Sequence, residues 1–178
     1  QYIYSLILFT LFIENVSLFS QFYVVLWMGR FNNVLKDTNQ QVSYTKNEEV
    51  IHAQVGIHII NTLRKEYPEY FDEELESIIK KECAEAYESE CKLIDWILQG
   101  YSGQRLSSDI LKEYVKSRFN DSLDSIGYGR PFELDSTSSR DYEWMDEEVL
   151  GNNSTDFFFK RPVDYSKKGQ SFDPDDLF

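Results

Sequence analysis

"NEEVIHAQVGIHIIN", residues 47–61, decides the reading of the chain, because both of its histidines, His52 and His58, fall in one apolar stretch of helical character. Glu49 and His52 are three positions apart and share a helix face, and Gly56 one turn further on would let a neighbouring helix approach closely. Two readings of this Glu-x-x-His stand side by side. His52 can be a core histidine hydrogen-bonded to its own helix neighbour, or the pair can serve a metal, because a carboxylate buried beside an imidazole needs compensation. Glu48, four positions before His52, suits a solvated face or a supporting role equally well. His58, six positions after His52, points to a different face and reads as structural.

On the N-terminal side of that stretch, residues 1–29 carry a single charge, Glu14, in a run long enough to cross a bilayer. A Glu near the middle of a spanning helix costs on the order of 3 kcal/mol, and Asn15, Ser17, Ser20 and Gln21 add polar groups beside it. A secretory signal would have a basic start, a shorter apolar core and a small-residue cleavage site. The central helix of a soluble bundle is therefore the expectation, with no membrane span. A lone acid in such a helix must be protonated, paired or bound to a cation.

The polar run "KDTNQQVS", residues 36–43, reads as a break, and a helix from about Ser43 to Tyr67 follows, stopped by Pro68. A further helix is expected from Asp72 to Gln99, with Asp72 as its N-cap, acids in the first turn and Gly100 beyond its end. Another begins at Ser107 or Ser108 and ends near Gly127. No stretch alternates with period two, so the class is all-α. Residues 1–132 read as a helical body and 133–178, without helical period, as an extended or disordered tail.

The 178 residues carry 18 Lys plus Arg against 31 Asp plus Glu, a net charge of −13, which disfavours nucleic acid as a partner. Cys83 and Cys91, eight apart on an expected helix, are neither a metal hook nor a disulfide framework, and read as ordinary thiols of a reducing compartment.

Helical di-metal carboxylate proteins take one Glu from each of two helices and a Glu-x-x-His from each of two others. Glu14, with Glu49 and His52, supplies one of each, and Val55 rather than an acid precedes His58 by three. Half a site is present. Either a second copy of the chain mirrors it, or another segment supplies the remainder.

Beyond these ligands, "LFIENVSLFSQF", "NEEVIHAQVGIHIINTLRKEYPE", "SSDILKEYVKSRFNDSLDSIGYGRPF" and "EWMDEEVLGNNSTDFFFKRPVDYSKKGQSFDPDDLF" succeed one another in an order that resembles the C-terminal half of the small, radical-generating β subunit of class I ribonucleotide reductase. The resemblance covers essentially the whole chain. It implies a ferritin-like helical bundle, with Glu14, Glu49 and His52 as ligands of a di-iron or manganese-containing centre, and Leu18 and Phe22 lining an apolar radical pocket. Glu48 falls where the family usually has an Asp that supports the ligands. Tyr165 resembles a radical-relay Tyr. The terminal "FDPDDLF" resembles a peptide that docks on the large α subunit, with Phe172, Leu177 and Phe178 as anchors and Asp173, Asp175 and Asp176 as charged complements.

The family's first-half ligands and its radical Tyr have no counterpart here, so the expectation is a C-terminal portion, completed by a complementary N-terminal half and paired as a β-subunit dimer in the cytoplasm, and inactive by itself. Ribonucleotide reduction to deoxyribonucleotides is the activity implied. The alternative is a ferritin-like di-iron oxidase or iron-storage protein that completes its site by homodimerisation, and a third reading is an acidic helical adaptor binding through its tail.

Overall fold

A computed structural model describes residues 1–135 and 138–151, and among these every regular element is helical. The leading helix, Tyr2–Asn32, runs unbroken through three segments: α1, Tyr2–Ile7, a wide π-helical stretch, Leu8–Ser17, and α2, Leu18–Asn32. α3, Lys36–Glu66, turns back along it, and a short 3₁₀ turn at Pro68–Tyr70 leads to α4, Glu73–Leu98, and α5, Ser108–Ser125. A last helix, α6, spans Ser139–Gly151.

The leading helix is long and apolar enough to cross a membrane. Here it packs as a core helix, with its π stretch touching α3 on one side and α5 and α4 on the other. Ile7, Leu11, Val16, Phe19 and Tyr23 are fully buried against Ile60, Ile79, Leu111, Val115 and Phe119. Burying each such side chain contributes about 1.5–3 kcal/mol, which is what holds so apolar a helix in the interior of an acidic protein.

Helix ends follow local chemistry. The Asp72 carboxylate accepts from the Leu75 N–H at 2.8 Å, and the Ser107 hydroxyl accepts from the Ile110 N–H at 3.3 Å, so both side chains cap the orphan amides of the helices they precede. α4 stops where Gln99 and Gly100 take left-handed backbone, φ 46° and 81°.

Two sequence expectations are corrected. The polar run from residue 36 is not a break but the first turns of α3, and the true break is Asn33–Leu35, with Asn33 and Leu35 left-handed at φ 56° and 54°. Its polarity serves packing: the Asn39 amide lies against Gly29 and donates to the Val25 and Leu26 carbonyls at 3.1 and 3.2 Å. The packed body also continues past residue 132. In α6, Tyr142, Trp144 and Met145 are buried, and the Trp144 ring meets Tyr23 at 4.8 Å and Phe31 at 5.3 Å. The Lys46 ammonium, fully buried, donates to the Glu148 carbonyl and ties α6 to α3.

Candidate metal centre

The long α3 presents Glu49 and His52 one turn apart, and the His52 Nδ1 lies 3.4 Å from the Glu49 carboxylate. Glu14 faces them from the π stretch. Its carboxylate, that of Glu49 and the His52 ring can place ligand atoms within 4.8 Å of one another, and among the described residues these three are the one such group. Metal–ligand bonds of about 2.0–2.2 Å would put neighbouring donors about 3.5 Å apart, so the three side chains would draw closer together to share one ion.

Gly56 makes this meeting possible. A Cβ there would lie 2.5 Å from the Thr10 hydroxyl oxygen and closer still to its methyl, so the absent side chain is what lets α3 rest on the π stretch one turn from the ligands.

The electrostatics ask for a cation. Burial raises the pKa of Glu14, the Glu49 carboxylate beside it raises it further, and His52 opposes both. Two carboxylates and an imidazole form a mixed oxygen and nitrogen donor set, and neither cysteine joins it. Such donors fit iron or manganese, whereas structural zinc commonly takes thiolates.

The imidazole is not a core histidine. The His52 side chain is 58% exposed, Glu49 16%. The ligands sit beside an open face rich in apolar residues: Ile51, Val55 and Ile59, each four apart on α3, are exposed by 56, 53 and 41%, and Phe9 and Ile13 on the leading helix by 55 and 47%. Glu48 is exposed and does not join the three ligands; His58 is likewise exposed and outside the group. Leu18, one turn beyond Glu14, is half-buried, and Phe22 is buried with its ring 5.5 Å from Phe19. Tyr165, Phe172, Asp173, Asp175, Asp176, Leu177 and Phe178 lie outside the described residues.

Polar residues unremarked in the sequence hold the far side of the leading helix. Glu90 of α4 is buried and accepts from the Ser17 and Ser20 hydroxyls at 2.5 and 2.8 Å. On α5, Arg118 and Ser122 engage Asn15, the residue after Glu14. The sequence signal for these was faint: single polar residues in an apolar helix, each needing a partner that only the tertiary fold names.

An all-α bundle with a lone Glu on one helix and a Glu-x-x-His on the next has the donor pattern of the ferritin-like carboxylate proteins. Residues 1–139 match the model of one family within that class, "Ribonucleotide reductase, small chain", and the chain belongs to that family. It is 28% identical over 170 residues to the ribonucleoside-diphosphate reductase subunit beta of Chlamydia pneumoniae, covering 95% of this chain and 47% of that protein. A probable ribonucleoside-diphosphate reductase small subunit of Invertebrate iridescent virus 3 is 26% identical, over 90% of this chain and 42% of the viral protein. The subunit beta of Treponema pallidum is 24% identical, over 90% and 46%. The chain thus spans about half the length of these relatives.

Proposed function

We propose that this chain supplies half of the di-metal carboxylate site of a class I ribonucleoside-diphosphate reductase small subunit, and that a complementary N-terminal half supplies the other ligands. The observation that carries the reading is the convergence of Glu14, Glu49 and His52 on an exposed apolar face. A solitary soluble domain rarely leaves such a patch uncovered, and here it surrounds the ligands themselves. The complementary half would bury Phe9, Ile13, Ile51, Val55 and Ile59 and exclude water from the site.

A dinuclear iron or manganese-containing centre supplies, when bound, the one-electron oxidising power with which the reductase begins ribonucleotide reduction. The residues of this chain have separate tasks around it. Glu14 and Glu49 would bring negative charge that offsets the metal ions. His52 offers a neutral nitrogen donor, its ring oriented by Glu49. Leu18 and Phe22, one and two turns past Glu14, keep the adjoining volume apolar, which protects an oxidised side chain from quenching. Glu48 supports the ligands once the face is covered. Tyr165 relays the hole towards the large α subunit, and the peptide of Phe172, Asp173, Asp175, Asp176, Leu177 and Phe178 docks on it. Two such small subunits pair in the working cytoplasmic enzyme.

Anaerobic iron(II) titration tests the half-site. The chain alone should take up at most one weakly held ion per molecule, and less after Glu14→Gln or His52→Ala. Together with a polypeptide supplying a second Glu and Glu-x-x-His it should bind two. Two tightly bound ions in the chain alone would refute the half-site and favour self-completion by a dimer. Truncation after residue 171 should abolish binding to the α subunit while leaving metal uptake intact.

A further inference from the structure

The geometry points to Arg118 of α5 as a positioning residue that aims Glu14 at Glu49 and His52 by holding the wide turn of the leading helix through Asn15. This rests on the metal reading above and names the device that makes the site possible.

Glu14 lies within Leu8–Ser17, the ten-residue π stretch, and that stretch is where it must leave the ordinary helical register to reach α3. π-helical turns are rare and persist where outside partners support them. Here the support converges on the residue next to the ligand. The Arg118 Nε and Nη2 donate to the Asn15 main-chain carbonyl at 3.0 and 2.7 Å, and Nη2 also donates to the Asn15 side-chain oxygen at 2.5 Å. The other end of the same amide donates to the Ser122 hydroxyl at 2.7 Å. Arg118 and Ser122 are four apart on α5, so Asn15 is gripped at both ends by one helix face.

The guanidinium itself has no freedom to swing away, because it lies 4.1 Å from the centre of the Phe19 ring, itself fully buried. Only a planar fork can take a carbonyl with two nitrogens while stacking on a ring; an ammonium would keep the charge and lose the geometry. Glu14 and Asn15 are consecutive, so a rotation of Asn15 about the helix axis carries Glu14 with it and away from α3. Arg118 never touches the ligands. It also lies near Asp146 of α6, whose carboxyl it helps to keep ionised, so a purely structural role has to be separated from the positioning one.

Cobalt(II) is the probe, its visible d–d bands reporting ligand geometry at the site in the full chain. The bands must first depend on Glu14, so that Glu14→Gln removes them. Arg118→Met should weaken cobalt binding by about tenfold, the range seen when supports of metal ligands are removed, and should alter the bands at saturating metal well below the unfolding temperature. Arg118→Lys should leave binding intermediate. Asn15→Ala, which loses both side-chain contacts without orphaning a buried charge, should shift the bands in the same direction if Arg118→Met fails to fold. Asp146→Asn, which alters only the charge neighbour of Arg118, should leave cobalt binding unchanged.

Hydrogen exchange gives the second readout, with residues 8–17 exchanging faster in Arg118→Met than in the unaltered chain while α4 does not change. Bands and affinity unchanged in both Arg118→Met and Asn15→Ala would overturn the positioning role and leave the metal reading standing. No Glu14-dependent cobalt signal in the unaltered chain would overturn both.

Discussion

Replacing Gly56 by alanine should part α3 from the leading helix and scatter the ligands. The added methyl would sit 2.5 Å from the Thr10 hydroxyl oxygen and nearer still to the Thr10 methyl. Ordinary contact begins at about 3.5 Å, so the helices must separate by about 1 Å or Thr10 must turn into an already packed interior. Overpacking of this kind costs about 1–3 kcal/mol. Against it stands the gain of about 1 kcal/mol when Gly becomes Ala inside a helix. The net loss expected is about 0–2 kcal/mol, small enough for the chain to fold, so cobalt affinity is the deciding readout and urea unfolding the supporting one.

The metal readout should be disproportionate to that loss. Glu14 lies one turn from Thr10 and His52 one turn from Gly56, so a shift of about 1 Å at the contact opens the 4.8 Å group and should weaken cobalt(II) binding by an order of magnitude. Thr10→Ala supplies the control. It removes both offending atoms and leaves the residue 10 Cβ at 3.0 Å from the new methyl, so the double variant should recover stability and cobalt affinity relative to Gly56→Ala. The double-mutant cycle should therefore show favourable coupling of about 1–2 kcal/mol. Equal stability and cobalt affinity for Gly56→Ala and the unaltered chain, with Thr10 present, would refute the close-approach reasoning.

Other perturbations follow from particular contacts. Trp144→Ala removes a buried ring and its Nε1–H bond to the Tyr23 hydroxyl at 3.2 Å, and should cost about 3–5 kcal/mol, with near-ultraviolet dichroism reporting release of α6. A loss below 1 kcal/mol would show that α6 is not part of the body. Burial raises the Asp146 carboxyl to about 6 from 3.8; Arg118 opposes this, and Asp121 and Glu143 add to it. An acid raised on folding is neutral in both states at low pH, so its penalty sets in as pH climbs from about 4 to 6 and persists above. Asp146→Asn should consequently gain on the unaltered chain by up to about 2 kcal/mol between pH 4 and 7 in urea unfolding, and a constant difference across that window would contradict the shift. Replacing Ser17 and Ser20 together by alanine strips the buried Glu90 carboxylate of both donors and should cost about 1–3 kcal/mol, recovered in part when Glu90 is also made Leu. No recovery would mean that the hydroxyls stabilise the fold by another route.

Much of the body could be read from the chain because its signals are local. Asp72 and Ser107 announce helix starts by their capping oxygens, Pro68 ends α3 and Gly100 follows α4, and each of these acts within a turn of itself. Glu14, Glu49 and His52 were legible because isolated acids and a Glu-x-x-His in apolar helices demand compensation. What escaped was fixed at a distance. Lys36 to Ser43 looked like a break because hydropathy registers side-chain polarity and not the carbonyls of α2 that Asn39 satisfies. Lys46 is buried only because Glu148, 102 positions away, offers its carbonyl. The period of α6 was hidden by its acids, although Tyr142, Met145 and Val149 recur at helical spacing. Exposure of His52 could not be foreseen either, since it depends on what covers α3.

The π stretch of the leading helix also works as a phase shifter. A helix in regular register turns 100° per residue from end to end, so whichever side faces a neighbour at its start is fixed for its whole length. Leu8–Ser17 breaks that obligation, and the segments before and after it are indexed independently. The stretch itself turns Phe9 and Ile13 outward while α2 commits Phe19, Tyr23 and Trp27 to the interior. Deleting a single residue within the stretch would reset the phase, swinging one set of faces by roughly a quarter turn or more with no change in composition. Length, more than the identity of any one residue there, is thus the quantity to which this helix is tuned.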